Sequence, residues 1–174
     1  ESDLRSLIVR FSDLEGPGLL ETILREKGYS ITFHDSYKKG LELVPVSHQI
    51  FDLVVLLGGP ISVADPGLQS FFKPYYQLVK DTLSIPGHKV LGICLGSQII
   101  AKALGSEVRK GSNGPEIGFG KLKVENSNSP VLKNVDGSNI NVFHLHEDTY
   151  EIPKGAEHIL SSEKYPSQMY SYQN

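Results

Sequence analysis

HKVLGICLGSQIIAKALG, residues 88–105, decides how the rest of this chain is read. Its first six residues, HKVLGI, read as a continuous strand, and LGSQIIAKALG continues as an amphipathic helix. The chain's one cysteine, Cys94, falls at the junction, with Gly92 two places before it and Gly96 two places after. A Gly-x-nucleophile-x-Gly pattern at a strand-to-helix turn puts the central residue in a strained backbone conformation that the flanking glycines make sterically possible. The thiol then lies at a helix N-terminus, where unpaired N–H groups and the positive end of the dipole favour thiolate over thiol, so Cys94 is expected to be reactive. The alternative is a small buried hydrophobe whose glycines serve close packing.

The same strand-then-helix alternation extends towards the N-terminus. RSLIVRF (5–11) is a β-branched apolar run, followed by EGPG and by LLETILREKG, where Leu19, Leu20, Ile23 and Leu24 recur at helical spacing and Gly28 ends the run. YSITFH (29–34) predicts a second strand. FDLVVLLGGP (51–60) predicts a third, apolar on both faces as a central parallel strand requires. Residues 68–83 read as helix despite Pro74, with Asp65 capping it. Each early strand is followed by a crossover of a dozen or more residues, which forces parallel pairing with helices on both faces. The predicted fold is a flavodoxin-like, doubly wound α/β domain with a mostly parallel sheet.

Beyond Gly105 the punctuation changes. IGFGKLKV (117–124), NINVFHLH (139–146), EHILSS (157–162) and QMYSY (168–172) are short strands separated by Asn/Ser/Gly/Pro turns, which predicts antiparallel additions to the sheet's edge in the C-terminal third. At 174 residues the chain has the size of one compact domain, spanning 1–174. A net charge of −3 without a Lys/Arg cluster supplies no electrostatic footprint for nucleic acid or an anionic membrane. No apolar run approaches the ~20 residues of a bilayer span, and a lone cysteine cannot form an intramolecular disulfide. These features predict a cytoplasmic protein acting on a small polar substrate. With no P-loop and no glycine-rich nucleotide fingerprint, no cofactor is expected, and any synthetase or acceptor chemistry would belong to a separate chain.

A cysteine that attacks a carbonyl needs donors for the developing oxyanion. The Leu95 N–H, first amide after the nucleophile, is positioned by the elbow itself. Gly58 and Gly59 end a central strand at the carboxyl edge of the sheet, where open α/β folds bind ligands, and their bare amides can approach a substrate. Gln98, one turn after Cys94, projects from the same helix face and is placed to hydrogen-bond a polar substrate.

Gly58-Gly59-Pro60, the G-I-C-L-G-S-Q elbow (92–98), P-E-I-G (115–118) and H-x-D (146–148) followed by I-P-K-G-A (152–156) resemble, in order and spacing, the class I glutamine amidotransferases. The nearest resemblance is to stand-alone relatives of the glutaminase domain of GMP synthetase. It implies hydrolysis of the glutamine side-chain amide through a γ-glutamyl thioester on Cys94, with the Gly59 and Leu95 amides as oxyanion hole. It also implies that Gly58 and Gln98 contact the glutamine, and that backbone around Leu145 and His146 holds its α-amino and carboxylate groups. The same machinery would serve γ-glutamyl conjugates. The family's catalytic His and Glu lie in a Gln-Phe-His-Pro-Glu-like segment after the strand that QMYSYQN resembles, so the domain is expected to lack its C-terminal segment.

The six histidines leave choices open. His34, His48, His88 and His158 lie at strand ends or in polar stretches and are expected at the surface. His144 and His146 share one strand face with Asp148 just beyond, and read as structural and substrate-positioning residues, with a base for Cys94 and a metal site as the weaker readings. Glu116 and Asp148 are assigned supporting roles. Two rival functions stand beside the amidotransferase: a DJ-1/PfpI-like cysteine hydrolase or redox sensor, and a catalytically silent amidotransferase-like binding protein.

Overall fold

The computed structural model describes residues 3–38, 51–133, 140–165 and 167–172. They fall into two compact units, residues 1–103 and 104–174, each described by itself. In the first, β1 (Leu4–Arg10), α1 (Leu19–Glu26), β2 (Tyr29–Asp35), β3 (Leu53–Leu56), α2 (Gln69–Leu83), β4 (Lys89–Gly92) and α3 (Leu95–Ala103) follow in order. The four strands form one sheet in the order β2-β1-β3-β4, and every pairing is parallel. This is the predicted doubly wound core. Each crossover runs through a helix or a long connection because parallel neighbours cannot be joined by a tight turn.

The central strands are buried on both sides, which explains their unbroken apolar sequence. Ile8, Val55 and Leu57 pack with Leu24 and half-buried Leu20 of α1. By alternation Leu7, Val9, Val54 and Leu56 point to the other face and are equally buried. Of the apolar positions proposed for α1 only Leu20 and Leu24 turn inward; Leu19 and Ile23 are exposed. Gly28, at φ +89°, ends that helix in a conformation that other residues resist. A short 3-10 turn at Pro66–Leu68 leads into α2, and the Asp65 carboxylate accepts the Gly67 N–H at 2.8 Å, so Asp65 is the cap the sequence suggested. Pro74 sits inside α2, which buries Phe72, Tyr75, Leu78 and Val79.

In the second unit, β5 (Val108–Lys110), β6 (Glu116–Lys121), β7 (Lys123–Val124), β8 (Asn141–His146), β9 (Asp148–Tyr150), β10 (Glu157–Ser161) and β11 (Met169–Ser171) pair antiparallel, as expected. Among the described residues they do not extend the four-stranded sheet. They form three small sheets of their own, β11-β10-β7, β5-β9 and β6-β8. Only β10 and β11 are joined by a short connection; β5 with β9, β6 with β8 and β7 with β10 pair across longer separations in the chain.

His34 corrects a sequence expectation. It lies on β2 with 5% of its surface exposed, and its Nε2 finds no hydrogen-bond partner among the described residues. Burial lowers its pKa, with Asp35 pulling the other way, because a charged imidazole would be poorly solvated there. His88 and His158 are half-buried rather than on the surface, and His48 lies outside the described residues.

Candidate active site

The turn from β4 into α3 is the elbow the sequence predicts. Cys94 has φ +52°, and among the described residues no other residue except glycine has a positive φ. The two glycines beside it are required by contact rather than by their own torsions. A Cβ on Gly92 would lie 2.6 Å from the Gly96 backbone, and one on Gly96 would lie 2.6 Å from the Leu56 carbonyl carbon, on the neighbouring strand. Strand, turn and helix are thus stacked backbone against backbone. The Ile93 N–H donates to the Leu56 carbonyl at 2.9 Å, and the Ser97 hydroxyl and Gln98 N–H both donate to the Cys94 carbonyl, at 2.6 and 3.2 Å.

Cys94 itself is exposed, which rejects the reading of a buried hydrophobe. It also lies at the double-glycine bend: a Cβ on Gly58 would sit 3.4 Å from the Cys94 Cβ, and one on Gly59 would sit 3.2 Å from the Leu95 side chain. Leu95 is the first residue of α3, so its N–H has no partner within the helix. The Gly59 amide donates to no backbone carbonyl of the described residues. Gln98 is buried, 8% exposed, and its side chain makes no hydrogen bond with a described residue. Hence Cys94, Gly58, Gly59, Leu95 and Gln98 are gathered within the first unit.

The ionisation expectation is corrected. Burial around the sulfur pushes the Cys94 pKa up, and the Glu15 carboxylate pushes it further in the same direction. A carboxylate and partial desolvation both oppose a thiolate, so the start of α3 does not by itself yield an ionised sulfur. Glu15 is the residue the sequence reading missed. Its Oε2 occupies the space that a Gly58 side chain would fill. The available signal was an acid in the turn that leaves the carboxyl end of β1, a ligand-binding edge in this class of fold.

The remaining predicted residues belong to the second unit. Glu116 on β6 stands opposite His146 on β8. One Glu116 oxygen accepts from His146 Nε2 at 2.9 Å, from the Ser162 hydroxyl at 2.8 Å and from Gln168 Nε2 at 2.8 Å. The other ring nitrogen of His146 faces the Asp148 carbonyl at 3.3 Å, and the ring packs against Tyr165 with centroids 5.7 Å apart. Glu116 thus braces the strand end carrying His146, through Ser162 and Gln168, which the sequence reading did not single out. Asp148 begins β9 and pairs with Lys110. Leu145 is part of β8; its side chain and that of His144 lie outside the described residues. A cleft of about 410 Å³ lined by Arg109, Tyr150, His158, Lys164 and neighbours includes none of the predicted site residues. Among the described residues no helix is long and apolar enough to cross a membrane.

Comparison with known proteins agrees with this fold. The family model for glutamine amidotransferase class-I matches residues 18–171, and the chain belongs to that family. One of the subunits of the glutamine-hydrolyzing GMP synthase of Sulfolobus acidocaldarius is 40% identical over 112 residues, covering 64% of this chain and 55% of that protein. Gamma-glutamyl peptidase 4 of Arabidopsis thaliana is 34% identical over 88 residues, 48% of this chain and 35% of that protein. The chain therefore spans about half or less of these relatives. A crystal structure of a glutamine amidotransferase from Thermotoga maritima superposes with a TM-score of 0.83 at 36% identity, covering 99% of this chain and 73% of that one.

Proposed function

We propose that the protein hydrolyses the side-chain amide of glutamine, or of a γ-glutamyl compound, through a thioester on Cys94. The observation that carries this reading is the exposed Cys94 at φ +52° on a strand-to-helix elbow, with the double-glycine bend against it. In this reading the sulfur attacks the amide carbon while the amide oxygen becomes an oxyanion held by the Gly59 and Leu95 N–H groups. Collapse of the tetrahedral species breaks the C–N bond and releases ammonia, which takes a proton as it leaves. Water then cleaves the thioester, giving glutamate and the free thiol.

Gln98, buried and with no side-chain hydrogen bond to a described residue, and Gly58 contact the substrate. The family resemblance gives the substrate's α-amino and carboxylate ends to backbone at Leu145 and His146, with Glu116 and Asp148 in supporting roles. Because burial and Glu15 hold the thiol proton on, attack requires a general base at the moment of reaction. Family resemblance assigns that task to a His and Glu of a Gln-Phe-His-Pro-Glu-like segment that residues 1–174 do not contain. The ammonia would pass to a separate synthetase chain, and the likeness to a GMP synthase component supports this. The likeness to a gamma-glutamyl peptidase favours the second reading, in which the released group is an amine rather than ammonia. We assign the protein to the cytoplasm.

The test is to incubate the full-length protein with glutamine and with γ-glutamyl amides, following ammonia or amine release, and to label Cys94 with a glutamine-like electrophile. Release that disappears in Cys94→Ala is expected. No release from any of these compounds, together with no labelling, would refute the proposal.

A further inference from the structure

Glu15 is placed where the chemistry of the Cys94 site least tolerates it. Its Oε2 and the Cys94 Cβ both lie within 3.4 Å of one point, the position a Gly58 Cβ would take. A thiol that must become an anion, beside an amide oxygen that must become one too, has a carboxylate as neighbour. That carboxylate makes no hydrogen bond or ion pair with any described residue. Negative charge at this spot raises the energy of each anionic species formed there. The same charge becomes favourable when the substrate brings a cation to it. Glu15 is itself exposed, beside the exposed Leu14 and before Gly16-Pro17-Gly18, so it is open to a bound molecule.

We propose that Glu15 is a specificity-determining residue of this site, accepting a positively charged nitrogen on the leaving side of a γ-glutamyl amide. The preferred substrate class is then a γ-glutamyl conjugate of a diamine or similar cationic amine. This rests on the proposed function for its substrate, while the position of Glu15 beside the thiol does not. With a neutral leaving group Glu15 slows the reaction; with a cationic one it attracts the substrate and offsets the developing charge.

The single cysteine allows a test that needs no turnover. Cys94 is modified with two methanethiosulfonate reagents, one carrying an ethyltrimethylammonium group and the other an ethylsulfonate, in the parent protein, Glu15→Gln and Glu15→Asp. The ratio of cationic to anionic rates is expected to fall on the order of tenfold in Glu15→Gln and to recover in Glu15→Asp. An unchanged ratio in Glu15→Gln overturns the proposal. In parallel, kcat/KM is measured for the γ-glutamyl amides of 1,4-diaminobutane and of butylamine. Glu15→Gln is expected to lose on the first and to gain on the second, and equal changes on both overturn the assignment to a leaving-side cation. If the parent turns over neither amide nor glutamine, the proposed function fails, and the reagent ratio still decides the role of Glu15.

Discussion

Gly96→Ala tests whether backbone stacking holds the elbow in place. The new Cβ would overlap the Leu56 carbonyl oxygen, its nearest neighbour, and start 2.6 Å from the Leu56 carbonyl carbon and 2.9 Å from the Leu56 Cβ. Ordinary contact is about 3.5 Å, so α3 and β3 must separate by roughly 1 Å. No rotamer change relieves an overlap with backbone. Over-packing of this kind costs about 1–3 kcal/mol, placed here near the upper end, while the better helix propensity of Ala returns about 1 kcal/mol. The net expectation is a loss of about 2 kcal/mol, which lowers Tm by roughly 4–8 °C for a chain of this size. A displacement of about 1 Å at the nucleophile also costs on the order of 100-fold in turnover. Thermal and urea denaturation measure the first quantity, and amide hydrolysis the second. Gly16→Ala is the control, since nothing lies within 4 Å of its added Cβ, and it should change stability by less than about 1 kcal/mol. A Gly96→Ala protein as stable and as active as the parent would refute the packing argument.

Cys94→Gly removes the one positive-φ side chain of the described residues, so it should abolish thiol labelling while raising unfolding free energy by about 1 kcal/mol; a loss of stability would contradict strain at the elbow. Asp35 accepts a two-pronged hydrogen bond from Arg10, at 2.7 and 3.1 Å, and this guanidinium holds its pKa well below the usual carboxylate range. A depressed folded pKa stabilises above the unfolded value of about 4 and stops doing so as pH falls. Asp35→Asn should therefore cost about 1 kcal/mol at pH 7, with the difference from the parent narrowing below about pH 4 in urea titrations. Glu116→Ala strands the donors of His146, Ser162 and Gln168 and should cost about 2–3 kcal/mol, with faster amide exchange at the β6–β8 end. Unchanged exchange there would show that Glu116 does not brace His146.

The parallel core was legible because its signals are local. The apolar runs at 7–9 and 53–57 read as strands buried on two faces, and the crossover lengths between them exclude tight turns. The elbow was legible for the same reason, since a glycine on either side of one cysteine is a statement about neighbouring backbone. The two glycines of 58–59 could be placed at a strand's carboxyl edge, though not against Cys94, because that approach depends on two strands paired across the sheet.

Sequence alone therefore determined the class of fold, the elbow, the candidate nucleophile and the glycines that crowd around it. Tertiary structure decided which charges surround the sulfur. Glu15 reaches Gly58 from 43 residues away in the chain, and no local pattern records that meeting. It also decided that His34 is buried, that Glu116 serves His146 and that the C-terminal strands pair among themselves. Periodicity and turn chemistry follow from neighbours along the chain, whereas the ionisation of a thiol depends on solvent and charge brought through space.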